Sequence, residues 1–234
     1  MANALLDRPA QKKEAETVKP RSFICGSRQN DKPDFDQQVL LTTLEQRLNA
    51  YQISPSGYLR GVWLTVENTA VNTTVTTVAY QEDGPFNVLS SVRLLDTNSQ
   101  PIIGTLTGYD VYILNKYGGY TFQGDAEASA VFSATVGIAT TAGTFAFVLF
   151  LPLEIIARNA LGSQLNKSGA AQFSLEMFVA GTGTVFSTAP ATSSTLRVRA
   201  TLASWLDPEP ADARGNPVMQ DPPLLNTTQY WHKQ

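Results

Sequence analysis

FAFVLFLPL, Phe145–Leu153, is the stretch whose reading decides the fold. It is nine apolar residues in a row and closes an uncharged run that begins at Ala128. As a helix, nine residues rise only about 13 Å, well short of a bilayer core. As a strand they span about 30 Å. Gly143 and Thr144 ahead of it, Pro152 near its end and the three phenylalanines within it favour the strand. Its alternate faces are Phe145, Phe147, Leu149, Leu151 and Ala146, Val148, Phe150, and neither is polar. An antiparallel strand usually keeps one wet face. This one is expected to be covered on both sides, so a second cover must come from another layer of the chain or from another chain.

Working outward, period-two alternation recurs. Tyr58–Glu67 places Val62, Leu64 and Val66 on one face and Trp63, Thr65 and Glu67 on the other. Leu196–Leu206 places Leu196, Val198, Ala200 and Leu202 inward and Arg197, Arg199 and Thr201 outward. Val39–Leu48, Thr73–Tyr80, Val88–Leu95, Pro101–Leu106 and Gln172–Ala180 read as further strands. Ala130–Ala139 and Thr144–Leu151 read as a hairpin, and Gly181–Ser194 as a long polar loop. One helix is well signed: Thr107 can N-cap it, Asp110 stands in the capping-box position and Gly118 can follow its last turn. Within it Tyr109, Tyr112, Ile113 and Lys116 share a face, as in a helix covering one end of a sheet. Glu154–Leu161 reads as a second, short helix stopped by Gly162. About eight or nine strands with no βαβ alternation argue against a parallel sheet. They predict an all-β fold, an antiparallel eight-stranded jelly-roll sandwich with one or two short helices.

The flanks differ in character. Residues 1–35 read as an N-terminal arm, with seven basic against five acidic residues, a balance of +2 that leaves −5 for the remainder. Residues 36–206 form the jelly-roll domain. Residues 207–234 are a Pro-rich extension or connector that nonetheless carries Leu224, Leu225, Tyr230 and Trp231, side chains rare in a free solvated tail. Hydrophobic residues make up 43% and charged residues 16%. That charge density is below the usual ~25% and is expected of a protein that buries surface against neighbours. A net charge of −3 argues against a general nucleic-acid binder. Cys25 is the single cysteine, so no internal disulfide forms and assembly in a reducing cytoplasm is the simpler reading. MANALLDRPAQKKEAE has no apolar core of signal-peptide length, and no run reaches the ~18 apolar residues of a membrane span.

The residues for catalysis are missing from the sequence. The only histidine is His232, near the last residue, and Cys25 sits in the arm, which leaves nucleophilic triads and clustered zinc ligands without material. The carboxylates Asp34/Asp36, Glu82/Asp83 and Glu127/Glu154 have no spacing that selects a glycosidase pair or a Ca²⁺ site, and solvation is their expected role. The expectation is no enzyme, no cofactor and no metal. The sequons at Asn72, Asn166 and Asn226 would matter only in a secreted eukaryotic protein. Trp63, Tyr117, Tyr120 and Phe122 fit either a sugar-stacking face or a subunit contact.

The run GYLRGVWLTVENTAVNTT followed by DGPFNVLSSVRLLDTNSQPI resembles the opening of the first barrel in major capsid proteins of tectivirus-like phages. The resemblance rests on Gly84-Pro85-Phe86-Asn87, the strand Val92–Leu95, the turn Asp96–Gln100 and the helix GYDVYILNKYGG. Downstream, Phe150-Leu151-Pro152-Leu153 ends a strand, FSLEM follows after a loop, and Trp205-Leu206-Asp207 enters a Pro-rich connection. The match is one of order and spacing over Gly57–Pro222. It implies a jelly roll standing upright in an icosahedral shell, within three-chain, pseudo-hexagonal capsomers that often overlie an internal membrane. Family members carry two barrels and strands for only one are counted here; the connector-like tail agrees with a continuation.

The resemblance further implies self-association, contacts with neighbouring and minor virion proteins, membrane contact through the arm and no specific nucleic-acid partner. Its setting is a virion assembled in the host cytoplasm. Candidate subunit contacts are Trp63, Tyr120, Phe122, Phe150, Tyr230 and Trp231. The alternative is a receptor- or carbohydrate-binding β-sandwich of a spike or adhesin.

Overall fold

The computed structural model describes residues 21–73, 75–120, 124–156, 159–211 and 214–215. A short helix α1 (Phe23–Gly26) precedes β1 (Gln29–Leu40), β2 (Gln46–Arg47), β3 (Tyr51–Gln52), β4 (Tyr58–Thr69), β5 (Ala79–Tyr80), β6 (Leu89–Leu95) and β7 (Pro101–Leu106). Helix α2 (Gly108–Gly118) leads to β8 (Ser133–Ala134), β9 (Phe145–Pro152), β10 (Gln164–Leu165) and β11 (Ser174–Val179). Helix α3 (Thr182–Val185), β12 (Phe186–Thr188) and β13 (Thr195–Trp205) complete the order.

The larger sheet runs β1-β13-β4-β9-β8, with β10 on β4, and the smaller runs β2-β11-β6-β7, with β3 beside β2 on β11. All pairings within the two sheets are antiparallel. Taking β2 and β3 as one interrupted strand leaves eight principal strands. In chain order, the first, eighth, third and sixth make one sheet, and the second, seventh, fourth and fifth make the other. That interleaving is the jelly roll, in which successive strands alternate between facing sheets except at the β6–β7 hairpin, whose two strands are neighbours in the smaller sheet.

The inner faces are those the alternation predicts. Val62, Leu64 and Val66 of β4, Phe145, Phe147, Leu149 and Leu151 of β9, and Leu196, Val198, Ala200 and Leu202 of β13 are buried. They face Val92 and Leu94 of β6 and Leu175, Met177 and Val179 of β11 in one continuous core. Helix α2 closes the open edge between the sheets. Thr107 and Asp110 form the full capping box, with the Thr107 Oγ1 accepting from Asp110 N at 3.1 Å and the Asp110 carboxylate accepting from Thr107 N at 2.8 Å. Tyr112 stacks on Phe86 at 4.2 Å, and Phe86 leans on Phe147 at 4.9 Å. The buried positions of α2 are Gly108, Val111, Tyr112 and Asn115. The face is therefore rotated from the Tyr109–Lys116 stripe: Tyr109 and Ile113 are only partly buried, and Lys116 is held at the surface by Asp125 at 2.9 Å. Gly119, with φ of 71°, takes the left-handed position foreseen for Gly118.

Other expectations are corrected. The first strand starts at Gln29, inside the segment read as an arm, because β13 offers a partner along its whole length, from Gln29–Trp205 to Leu40–Thr195. It is an edge strand with polar residues and Pro33 at a register shift, which hides its alternation. Thr73–Tyr80 is shortened to Ala79–Tyr80 because the Asn72 amide donates to Thr76 O at 2.7 Å and holds this segment in a turn. Glu154–Leu161 is not helical where described: Ile155 N donates to Leu161 O at 2.7 Å, and Ala160 and Gly162 at positive φ reverse the chain. Residues 181–194 are not one loop, since α3 and β12 lie within them and β12 pairs with β5. Among the described residues no helix is long and apolar enough to cross a membrane.

Candidate functional site

The outer face of the larger sheet is built by the side chains that β4, β9 and β13 turn away from the core. Trp63 on β4 stands opposite Phe150 on β9. The backbone N–H and C=O of Phe150 point away from β4, toward Asn115 of α2. Phe150 N donates to the Asn115 Oδ1 at 2.7 Å, and the Asn115 Nδ2 donates to Phe150 O at 2.7 Å. Trp63 and Phe150 are thus a non-hydrogen-bonded pair, the closer of the two antiparallel geometries. Their rings meet at 4.5 Å, tilted by 38°. The Phe150 ring also lies over Gly61, where an added Cβ would stand 2.5 Å from its Cζ.

This arrangement answers how FAFVLFLPL is covered. Phe150 is buried at 6%, while Ala146, Val148 and Trp63 are half-buried. The helix does not lie over the outer face. It stands at the strand's edge, where Asn115 takes the place of a neighbouring strand. An apolar, half-covered surface of Trp63 and Val148 remains on the outside.

Charges frame that surface. The Arg197 guanidinium grips Asp36 through Nε at 2.9 Å and Nη2 at 2.5 Å, and Arg199 pairs with Glu67. The Arg197 hydrogen bond holds the Asp36 carboxyl below the usual carboxylate range. Between them lies an open concavity of about 560 Å³ bordered by Asp36, Thr65, Glu67, Val148, Arg199 and Thr201. The opposing sheet has its own outer pairs, Arg47 at 2.5 Å and Arg93 at 3.3 Å from the two oxygens of Glu176.

The remaining candidate residues are distributed as follows. Tyr120 folds back on Gly118, where an added Cβ would stand 2.6 Å from its ring, and burial pushes its phenol up. Phe122, Tyr230 and Trp231 lie outside the described residues. Of the sugar-stacking set, Trp63 has one ring face taken by Phe150, and Tyr117 is exposed on the last turn of α2.

Of the carboxylates, Asp34, Asp36 and Glu154 form structural contacts. Asp34 accepts from Tyr51 Oη at 2.7 Å, Ser54 N at 2.8 Å and Ser54 Oγ at 2.6 Å. Glu154 is buried and accepts from Arg60 Nε at 2.8 Å and Trp205 Nε1 at 2.6 Å, with the Arg60 guanidinium 4.8 Å above the Trp205 ring. This cluster joins the ends of β4, β9 and β13, and nothing in the residue spacing announced it. Asn115 was missed too; its one sequence signal is an amide at a core-facing helix position. Asn72 and Asn166 are buried, with their amides donating to backbone carbonyls. Among the described residues no group of three His, Cys, Asp or Glu is placed to hold a metal ion.

No protein-family model matches the sequence, and no curated protein matches it. Solved structures do. The crystal structure of the STIV major capsid protein superposes with a TM-score of 0.50 at 12% identity, covering 74% of this chain and 48% of that one. A chain of the Sulfolobus turreted icosahedral virus structure gives 0.48 at 11% identity, covering 81% of this chain and 51% of that one. PBCV-1 VP54, fitted into a reconstruction of the virophage Sputnik, gives 0.45 at 11% identity, covering 86% and 46%. The chain spans about half the length of these structures. At such identity the likeness is one of fold alone, and the shared fold is the jelly roll.

Proposed function

We propose that this chain is a structural capsid protein that builds an icosahedral viral shell by self-association and performs no catalysis. The observation that carries the proposal is the interleaved eight-strand jelly roll, which superposes on the STIV major capsid protein over 74% of this chain. The outer face supports it. Trp63 and Val148 leave an apolar surface half-covered, framed by the ion pairs Asp36–Arg197 and Glu67–Arg199, as in a contact with an apolar centre and a polar rim.

In its finer form the reading places the protein in a phage virion. Chains assemble in the host cytoplasm into trimeric, pseudo-hexagonal capsomers and meet neighbouring capsid and minor virion proteins, with the N-terminal segment ahead of β1 (residues 1–28) reaching toward an internal membrane. Trp63, Tyr120, Phe122, Phe150, Tyr230 and Trp231 are the proposed contact residues, and the Pro-rich residues 207–234 the proposed connector.

Sedimentation of the purified full chain tests the proposal. Trimers or larger assemblies that grow with concentration are expected. A chain that stays strictly monomeric at every concentration, with no capsomers or shells in micrographs, refutes it.

A further inference from the structure

The two flanks of the barrel meet at one end, where Gln29 pairs with Trp205, and there they are bound to each other. Helix α1 buries a single side chain, Phe23. Its ring meets Tyr58 of β4 at 5.1 Å and Trp205 of β13 at 6.3 Å, both edge-to-face, with Ala160 completing the cluster. After the helix the chain runs beside the residues that follow β13. Leu206 N donates to Arg28 O at 2.8 Å, the Ser27 Oγ donates to Leu206 O at 2.7 Å, and Glu209 N donates to Gly26 O at 3.3 Å. Arg28 pairs with Glu209 at 2.7 Å, and Lys167 pairs with Asp207.

These contacts are set apart from the barrel. Phe23, Ala160 and Trp205 form an apolar cluster separate from the continuous core between the sheets, with Ile24 and Tyr58 packed on it. The ties beyond that cluster lie at the surface. The Arg28 and Glu209 side chains are 75% and 66% exposed, and Lys167 and Asp207 are exposed too. Exposed pairs of this kind each contribute little. Trp205 does not need the helix to keep its place, because its Nε1 donates to the Glu154 carboxylate and the Arg60 guanidinium covers its ring. Lifting α1 therefore costs one buried ring and a few water-exposed bonds, while both sheets keep their ladders, as in a local opening unit.

We infer that α1 is a releasable clasp that holds the start of the C-terminal extension against the barrel, so that the two flanks are fixed and freed together. Closed, it sets the direction in which the chain leaves β13. Open, it frees residues 21–28 and 206–211 at once. Anything that grips one flank in its open form loosens the other by the same factor, because such coupling is reciprocal. The inference does not rest on the capsid reading, since every contact lies within one chain.

Hydrogen exchange of the full chain tests the clasp at amides on both flanks: Ser27, which donates to Phe23 O, and Leu206 and Glu209. In the wild type the three are expected to share one protection factor, lower than that of Val198, which lies mid-sheet opposite Val66. Phe23→Ala removes the anchor and is expected to lower protection at Leu206 and Glu209 about tenfold or more, with Val198 unchanged. Asp207→Asn/Glu209→Gln removes only surface ion pairs from the other flank. It is expected to lower protection at Ser27 about two- to fivefold at an unchanged melting temperature. Unchanged Leu206 and Glu209 amides in Phe23→Ala overturn the inference, as does an unchanged Ser27 amide in the double variant. Wild-type protection that differs between Ser27 and Leu206 overturns it as well. Loss of protection that spreads to Val198 in Phe23→Ala makes the ring part of the barrel rather than of a clasp, and overturns it too.

Discussion

Replacing Asn115 by Leu removes the amide that completes the edge of β9 while keeping the branching and the number of side-chain heavy atoms. Asn115 is buried and makes two 2.7 Å bonds to the N–H and C=O of Phe150. A buried backbone group left without a partner costs about 1–3 kcal/mol. Two such groups, offset in part because the amide itself no longer needs desolvating, give an expected loss of about 2–4 kcal/mol. For a chain of this size that lowers the melting temperature by roughly 5–15 °C. Equilibrium urea unfolding is expected to show a lower midpoint at unchanged slope, and hydrogen exchange is expected to show the Phe150 amide losing protection. A loss below about 0.5 kcal/mol, or an unchanged Phe150 amide, would refute the claim that a helix side chain stands in for a strand.

Three further outcomes follow from the same contacts. Gly61→Ala drives a methyl into the Phe150 ring and the Leu151 carbonyl and is expected to cost about 1–3 kcal/mol by thermal unfolding. Burial raises the Asp34 carboxyl, but hydrogen bonds from Ser54 and Tyr51 outweigh it and hold the group below its ordinary value of 3.8. That contribution is present above the ordinary carboxylate range and lost as pH falls through the folded value. Asp34→Asn should therefore be less stable at neutral pH and show a shallower acid limb in urea unfolding between about pH 2 and 7. Glu154→Gln leaves the Arg60 guanidinium without its carboxylate beside the Trp205 ring and is expected to lose about 2–4 kcal/mol, read from the Trp205 fluorescence transition.

The architecture was legible where one face is buried and the partner is distant. Val62-Leu64-Val66, Leu175-Met177-Val179 and Leu196-Val198-Ala200-Leu202 show clean alternation, because each strand sits mid-sheet with one face in the core. The capping box of Thr107 and Asp110 was legible because it is local. The edge strand Gln29–Leu40 was not, since an edge has no need of apolar alternation and Pro33 breaks what there is. Asn115, Glu154 and Arg60 could not be singled out either. Their roles depend on which strand ends the topology brings together, and a lone Asn or Glu in sequence looks like any solvated residue. Trp63 and Phe150 read from sequence as separate aromatic contacts; that they face each other follows only from the β4–β9 register.

Electron microscopy of the assembled full chain tests the central claim most directly. The account predicts capsomers in which barrels stand side by side, as three or six towers, with Trp63 and Phe150 buried between them. Isolated single barrels at every concentration, with the Trp63 face open to water, would contradict it.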